Sequence, residues 1–176
     1  MIPLILKIVK TGIVSEPAPE AAEEMRERAS EIQSEILEVL GRALVIRQVD
    51  AGSCNGCELE IHALNNPYYN IEGLGIRFAA SPRHADMLLV TGPVSVNMER
   101  ALRIAYEAMP GPKLVVAVGE CGCTGGVFGE SYASRGKVAN VIPVDVAVPG
   151  CPPRPIEIMR GILTAIRAPA RADATP

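Results

Sequence analysis

Cysteines placed directly after apolar runs constrain this chain more than any other feature. Ala43-Leu-Val-Ile-Arg-Gln-Val49 reads as a β-strand and leads into Gly52-Ser-Cys-Asn-Gly-Cys-Glu-Leu-Glu60, a C-x-x-C loop. A helix-like segment, Leu59 to Leu64, follows it. Leu114-Val-Val-Ala-Val-Gly119 leads into Glu120-Cys121-Gly122-Cys123, and Val141-Ile-Pro-Val-Asp-Val-Ala-Val148 leads into Pro149-Gly150-Cys151-Pro152-Pro153. Three predicted strands each release a cysteine loop at their C-terminal end. In an open parallel sheet those ends lie along one edge, where such sheets bind ligands. Thiols far apart in sequence are therefore predicted to meet in space, around a metal site.

The totals narrow the class. A chain of 176 residues is long enough for one domain with its own core. Charged residues make up 21% and the net charge is -3, which excludes a basic nucleic-acid footprint. Trp is absent and aromatics are 3%, so Val, Ile, Leu, Ala and Met must build the core. Five cysteines, four of them in C-x-x-C or C-x-C spacing beside glycine, make a poor disulfide framework and a better metal pattern. No apolar run reaches the ~20 residues that span a bilayer. Lys7 and Lys10 break the apolar start, and no cleavage site follows, so the expectation is a cytosolic protein with reduced thiols.

Three regions follow from the patterning: an extension with an amphipathic helix over 1–42, an α/β domain over 43–167, and a tail over 168–176. Leu4, Ile5 and Ile8 with the two lysines suit a segment lying against a partner or a membrane surface, or a tail ordered by its neighbours. Ser15 to Pro19 is a proline-rich break, and Glu20 to Leu40 has helical spacing at Met25, Ala29, Ile32, Ile36 and Val39. Further strands are expected at Ile76–Ala80 and Met87–Val90. Ser95 or Asn97 can cap a helix reaching Met109, with Met98, Leu102, Ala105 and Met109 inward. Pro155 suits the first turn of a closing helix, with Ile156, Met159, Leu163 and Ile166 on its inner face. Strands that are continuous apolar runs and alternate with helices predict a doubly wound, mainly parallel α/β sheet, helices on both faces.

Four thiolates complete either a structural zinc site or an iron–sulfur cluster. Zinc sites commonly pair two C-x-x-C knuckles on a small domain; one C-x-x-C, a distant C-x-C and a single cysteine favour a cluster. Glycines beside each cysteine let backbone N–H groups approach the sulfide atoms. A thioredoxin-type dithiol at Cys54 and Cys57 would leave Cys121, Cys123 and Cys151 unused. Spacing alone does not choose between Cys121 and Cys123. His62 and His84 are too scattered for a metal cage. Glu58 and Glu60 are solvated charges or, beside a cluster, proton carriers, with Glu60 the candidate relay. Gly122 to Gly126 matches no phosphate loop.

Taken together, Gly52-Ser-Cys-Asn-Gly-Cys-Glu-Leu-Glu60, Ser81-Pro-Arg-His-Ala-Asp86, Gly119-Glu-Cys-Gly-Cys-Thr-Gly-Gly126 and Val144-Asp-Val-Ala-Val-Pro-Gly-Cys-Pro-Pro-Arg-Pro155 resemble one family. It is that of the small subunit of membrane-bound, energy-converting nickel–iron hydrogenases of the formate hydrogenlyase and carbon-monoxide-induced type. The 20 kDa subunit of respiratory complex I belongs to the same family. The resemblance covers roughly Leu44 to Ile166. It implies a flavodoxin-like fold holding one 4Fe–4S cluster on Cys54, Cys57, Cys121 and Cys151, with Cys123 a departure from the pattern. The C-x-x-C sides with the hydrogenases, since complex I relatives carry two adjacent cysteines there.

The resemblance further implies an electron-transfer role with no catalytic residue in this chain. Expected partners are a nickel–iron-type large subunit, a ferredoxin-like iron–sulfur subunit and integral-membrane subunits, the whole on the cytoplasmic side of the membrane. A complex I-type subunit passing electrons to quinone is the alternative within the family. A zinc-stabilised interaction module is the alternative outside it.

Overall fold

Apolar runs too continuous to expose either face find cover on both sides. The computed structural model describes residues 2–12, 33–34, 37–38 and 41–167. Five strands, β1 (Leu44–Asp50), β2 (Ile76–Phe78), β3 (Met87–Thr91), β4 (Leu114–Val118) and β5 (Val146–Val148), form one sheet in the order β2-β1-β3-β4-β5. Every neighbouring pair is parallel, with Ile46 opposite Met87, Met87 opposite Leu114 and Val116 opposite Val146. The chain moves outward from β1 to β2, then returns past β1 to lay down β3. The sheet thus has a switch point at the C-terminal ends of β1 and β3.

Helices occupy both layers. On one face Leu44, Ile46, Leu89, Val116 and Val118 pack beneath α2 (Gly56–Ala63) and α5 (Pro155–Arg167) through Ile61, Leu64, Ile158 and Ile162. On the other, Val49, Leu88, Val90, Val115 and Ala117 lie beneath α3 (Val96–Ala108) through Leu102, and beneath Val138, Val141 and Ile142. Each fully buried Leu or Ile contributes roughly 1.5–3 kcal/mol, and eleven large side chains, Leu44 and Leu89 among them, are almost completely hidden. Such a core exceeds what a zinc-finger domain, which depends on its metal to fold, can bury.

Two aspartates repeat one device at the N-terminal edge of the sheet. Asp86, just before β3, accepts from Val45 N on β1 at 3.0 Å, and Arg42 donates to its other oxygen. Asp145, just before β5, accepts from Val115 N on β4 at 2.8 Å. Each carboxylate satisfies a donor that the staggered start of the neighbouring strand leaves over.

The α/β class, the parallel sheet and its two helical layers match the sequence-based expectation, and four differences have local causes. The strand expected over Val141–Val148 is confined to Val146–Val148, because Pro143 has no N–H to give and Val141 and Ile142 turn into the α3-side core. The strand expected over Ile76–Ala80 ends at Phe78, although Ala79 N still donates to Ile46 O at 2.9 Å. The closing helix is turned slightly: Met159 and Ile166 are buried as expected, but Ile158, Ile162 and Ala165 are its most buried positions, and Ile156 and Leu163 are half-buried. The cysteine loop expected after β4 opens with a helical turn, α4 (Gly119–Thr124). Ser95 is the cap of α3, accepting from Met98 N. Residues 33–34 and 37–38 are helical, and Met25, Ala29, Ile32, Ile36 and Val39 lie outside the described residues, as does the tail over 168–176. The undecided segment over 1–14 is helical over Ile2–Thr11 (α1).

Candidate metal centre

The first cysteine loop is shaped by its own aspartate. Asp50, the last residue of β1, accepts from Gly52 N at 2.8 Å and from Ser53 N at 2.7 Å, folding the chain back before Cys54. Asn55 adopts the left-handed conformation (φ 72°), which its short polar side chain tolerates, and α2 starts one residue later. Cys54 is exposed just before the helix, and Cys57 lies half-buried in its first turn. Ser53 Oγ accepts from Asn55 N at 3.1 Å and donates to Glu58 Oε2.

The other two loops lock together beside it. Glu120 N, at the start of α4, donates to Gly150 O at 2.7 Å, which ties the loop after β4 to the loop after β5. A Cβ on Gly119 would stand 2.5 Å from Cys57 Sγ and 3.6 Å from Gly150 O, so this glycine touches all three loops. Its φ of 85° also excludes an ordinary side chain. A Cβ on Gly56 would lie 3.6 Å from Cys54 Sγ and 3.9 Å from Pro152, the residue after Cys151. A Cβ on Gly126 would lie 2.7 Å from Cys121 Sγ. Cys57 and Cys121 are thus bordered by glycines at positions where a methyl group would crowd the sulfur, and Gly56 lies in ordinary contact range of Cys54.

Electrostatics link the same four residues. Burial pushes the Cys57 thiol up to about 12, and the nearby Glu58, Cys54, Cys121 and Cys151 push in the same direction. Burial, Cys151, Cys54 and Glu120 also raise Cys121. Thiols crowded together ionise only with compensating positive charge, and metal binding supplies it while releasing the protons. Among the described residues no three His, Cys, Asp or Glu side chains converge tightly enough to hold a single metal ion. Four thiols on three loops, bordered by glycine, are a donor set of the chemistry that iron–sulfur clusters take.

Cys123 lies elsewhere. Its sulfur donates to Ala117 O at 3.6 Å and packs against the α3-side core with Val138 and Ala117. Burial, then Glu120, raises it to about 11, and no other cysteine contributes. The signal for this division was present as C-x-C spacing, but it needed the helical turn of α4 to be read. Of the two carboxylates after Cys57, Glu58 is the buried one at 6% exposure, whereas Glu60 is half-buried. Among the described residues Glu58 Oε1 has no hydrogen-bond partner. His62 borders a shallow pocket with Arg47, Asn65 and Phe78, and neither it nor His84 joins the cysteines.

Residues 54–165 match the family model described as the NADH ubiquinone oxidoreductase 20 kDa subunit. Over 146 residues the chain is 42% identical to the probable membrane-bound hydrogenase subunit mbhJ of Pyrococcus furiosus, covering 83% of this chain and 87% of that one. It is 36% identical to formate hydrogenlyase subunit 7 of Escherichia coli, covering 85% of this chain and 62% of that one. It is 44% identical to a subunit of the NADH-quinone oxidoreductase of Desulfovibrio desulfuricans, covering 70% of this chain and 66% of that one. Among solved structures, a chain of the archaeal membrane-bound sulfane sulfur reductase superposes with TM-score 0.63 at 34% identity, over 77% of this chain and 74% of that one. The resemblance drawn from the four motifs is borne out. The match begins at Cys54 and runs through Cys151 into α5, so the stretch that carries the cysteine loops places this chain in the family of the 20 kDa subunit of NADH–ubiquinone oxidoreductase, together with the membrane-bound hydrogenase subunits.

Proposed function

We propose that this chain is the electron-transfer small subunit of a membrane-bound nickel–iron hydrogenase complex. In this reading Cys54, Cys57, Cys121 and Cys151 hold one 4Fe–4S cluster. When bound, such a cluster supplies a one-electron relay, here between a nickel–iron site in the large subunit and ferredoxin-like subunits. The observation that carries the reading is the meeting of three cysteine loops at the C-terminal edge of one parallel sheet, joined through Gly119, Gly150 and Glu120. The hydrogenase assignment rests on the C-x-x-C and on the relatives named for membrane-bound hydrogenase and formate hydrogenlyase.

The chain's own residues have defined tasks. Asp50 fixes the backbone ahead of Cys54, Gly119 and Gly126 keep space clear beside Cys57 and Cys121, and the Glu120–Gly150 bond holds two loops in register. Glu60, half-buried one turn along α2 from Cys57, is the proposed proton relay. Cys54 and Cys151 are exposed, which supports a covering partner, since an uncovered centre would meet water and oxidants. Among the described residues no helix is long and apolar enough to cross a membrane. Attachment would therefore run through integral-membrane subunits, on the cytoplasmic side.

Anaerobic purification tests the reading. A brown protein with about four irons per chain, whose visible absorbance bleaches on reduction, is expected. A colourless chain loaded with one zinc would overturn it. The second reading, a subunit that passes electrons to quinone, is favoured by the likeness to the NADH-quinone oxidoreductase relative. Nickel in the co-purified large subunit separates the two.

A further inference from the structure

The first helix has an apolar face that no described residue covers. Ile5, Leu6 and Val9 of α1 are 57%, 63% and 75% exposed. At 100° per residue these three occupy one arc of the helix, while Lys7, Lys10 and Thr11 occupy the opposite arc. Both lysines are exposed, and no carboxylate occurs between Ile2 and Thr11. Thr11 Oγ1 donates to Lys7 O at 2.7 Å, closing the last turn.

We propose that α1 is an interfacial anchor: it lies in the plane of an anionic bilayer, with Ile5, Leu6 and Val9 in the acyl boundary and Lys7 and Lys10 among the headgroups. Ten residues make a helix about 15 Å long, half the ~30 Å of a hydrocarbon core, so it lies along the surface and does not cross. The side chains divide as a water–lipid boundary requires, aliphatic on one arc and cationic on the other. Charge selects the occupant. A segment with two cations and no anion is drawn to anionic headgroups. Two lysines and three aliphatic side chains give weak, reversible binding, enough to orient a subunit held mainly by others. Residues 5–11 alone support this anchor, independently of the cluster reading.

Flotation of the purified full chain with vesicles tests it, using phosphatidylcholine mixed with phosphatidylglycerol against phosphatidylcholine alone. The chain is expected to float with the mixed vesicles and to be released at about 0.5 M salt. Lys7→Gln/Lys10→Gln should weaken that binding by about fivefold per lysine. Leu6→Asp/Val9→Asp should weaken it by about tenfold or more. Leu6→Ser/Val9→Ser repeats the test without added charge. These positions are exposed, so the melting temperature and iron content should not move. A wild-type chain that ignores the mixed vesicles, or binds them as well after both apolar substitutions, overturns the proposal. Loss of co-purifying subunits from Leu6→Ser/Val9→Ser with no vesicle binding by the wild type would assign the face to a protein and also overturn it.

Discussion

Cys121 and Cys123 stand two residues apart on one helical turn and face different surroundings. Cys121 Sγ borders the Gly126 position and feels Cys151 and Cys54, whereas Cys123 Sγ reaches Ala117 O inside the α3-side core. Two positions on a helix differ by about 200°, so α4 separates two thiols that C-x-C spacing in a loop would bring together.

The first prediction follows from that division. Ser at Cys54, Cys57, Cys121 or Cys151, one at a time, should strip most of the iron and the visible absorbance. Cys123→Ser should keep both and cost about 1 kcal/mol of stability or less, for a small group in a part-buried site. Iron assay and denaturant midpoints measure the two effects separately. Cluster loss with Cys123→Ser and retention with Cys121→Ser would reverse the assignment.

A second prediction separates crowding from backbone strain. Gly119→Ala places a methyl 2.5 Å from Cys57 Sγ and should abolish iron binding; Gly126→Ala, at 2.7 Å from Cys121 Sγ, should reduce it strongly. Gly129 also has positive φ, but a Cβ there meets nothing within 4 Å. Gly129→Ala should therefore lose roughly 1–2 kcal/mol of stability and bind iron normally. Equal iron loss in all three would mean that strain, not the space beside the sulfurs, is responsible.

Much of this was legible because continuous apolar runs, each followed by a cysteine loop, leave few folds other than a parallel sheet. Leu114–Val118 and Met87–Thr91 carry that signal plainly. The short strand at Val146–Val148 was hidden by Val141 and Ile142, which are equally apolar but serve the opposite layer, beyond Pro143. Period alone cannot report which layer an apolar residue joins. The site was legible as cysteines with glycines beside them, whereas which glycine meets which sulfur was not. Gly119 and Gly126 matter through contacts with Cys57 and Cys121, and the first of these is a contact far along the chain. Glu58 and Glu60 look alike in sequence, and only the starting point of α2 decides which is buried.

Asp86, part of one of the family motifs, supplies the third prediction. Asp86→Ala leaves Val45 N without its acceptor and should destabilise the domain by about 1–3 kcal/mol. Asp145→Ala should do the same at Val115 N. Both lie at the edge of the sheet opposite the cysteines, so cluster absorbance per folded chain should not change. A spectral change in either variant would argue that the motif acts on the centre itself.

The fourth prediction is a pH dependence. Hydrogen bonds from Arg135 and Arg103 hold the Glu99 carboxyl below the usual carboxylate range. A depressed folded-state value means that this contribution is present above the ordinary carboxylate pKa and is lost as pH falls through the lowered one. Glu99→Gln should therefore be slightly less stable than the parent at neutral pH and nearly equal at acidic pH. Melting curves across that range measure the convergence, and parallel curves would rule the ion pairs out as its source. The effect should be small, because surface pairs contribute little.

The last prediction concerns what covers the centre. The loop after α4 carries Val127, Phe128 and Tyr132 at 100%, 65% and 98% exposure, beside the Gly126–Cys121 contact. It is not slack: Gly129 N donates to Gly125 O at 3.0 Å, and Asn140 Nδ2 donates to Glu130 Oε1 and Arg135 O. A loop held this way presents its aromatic side chains at little further ordering cost, as binding surfaces do. If the large subunit closes over the cysteine loops, these side chains lie in its path. Phe128→Asp/Tyr132→Asp should then cut recovery of the co-purified large subunit about thirtyfold, the effect of losing ~2 kcal/mol at an aromatic hot spot. Iron content of the isolated chain should stay unchanged, since both side chains are exposed. Undiminished assembly with both charges in place would move the interface away from this loop, to the side of Cys54 and α2.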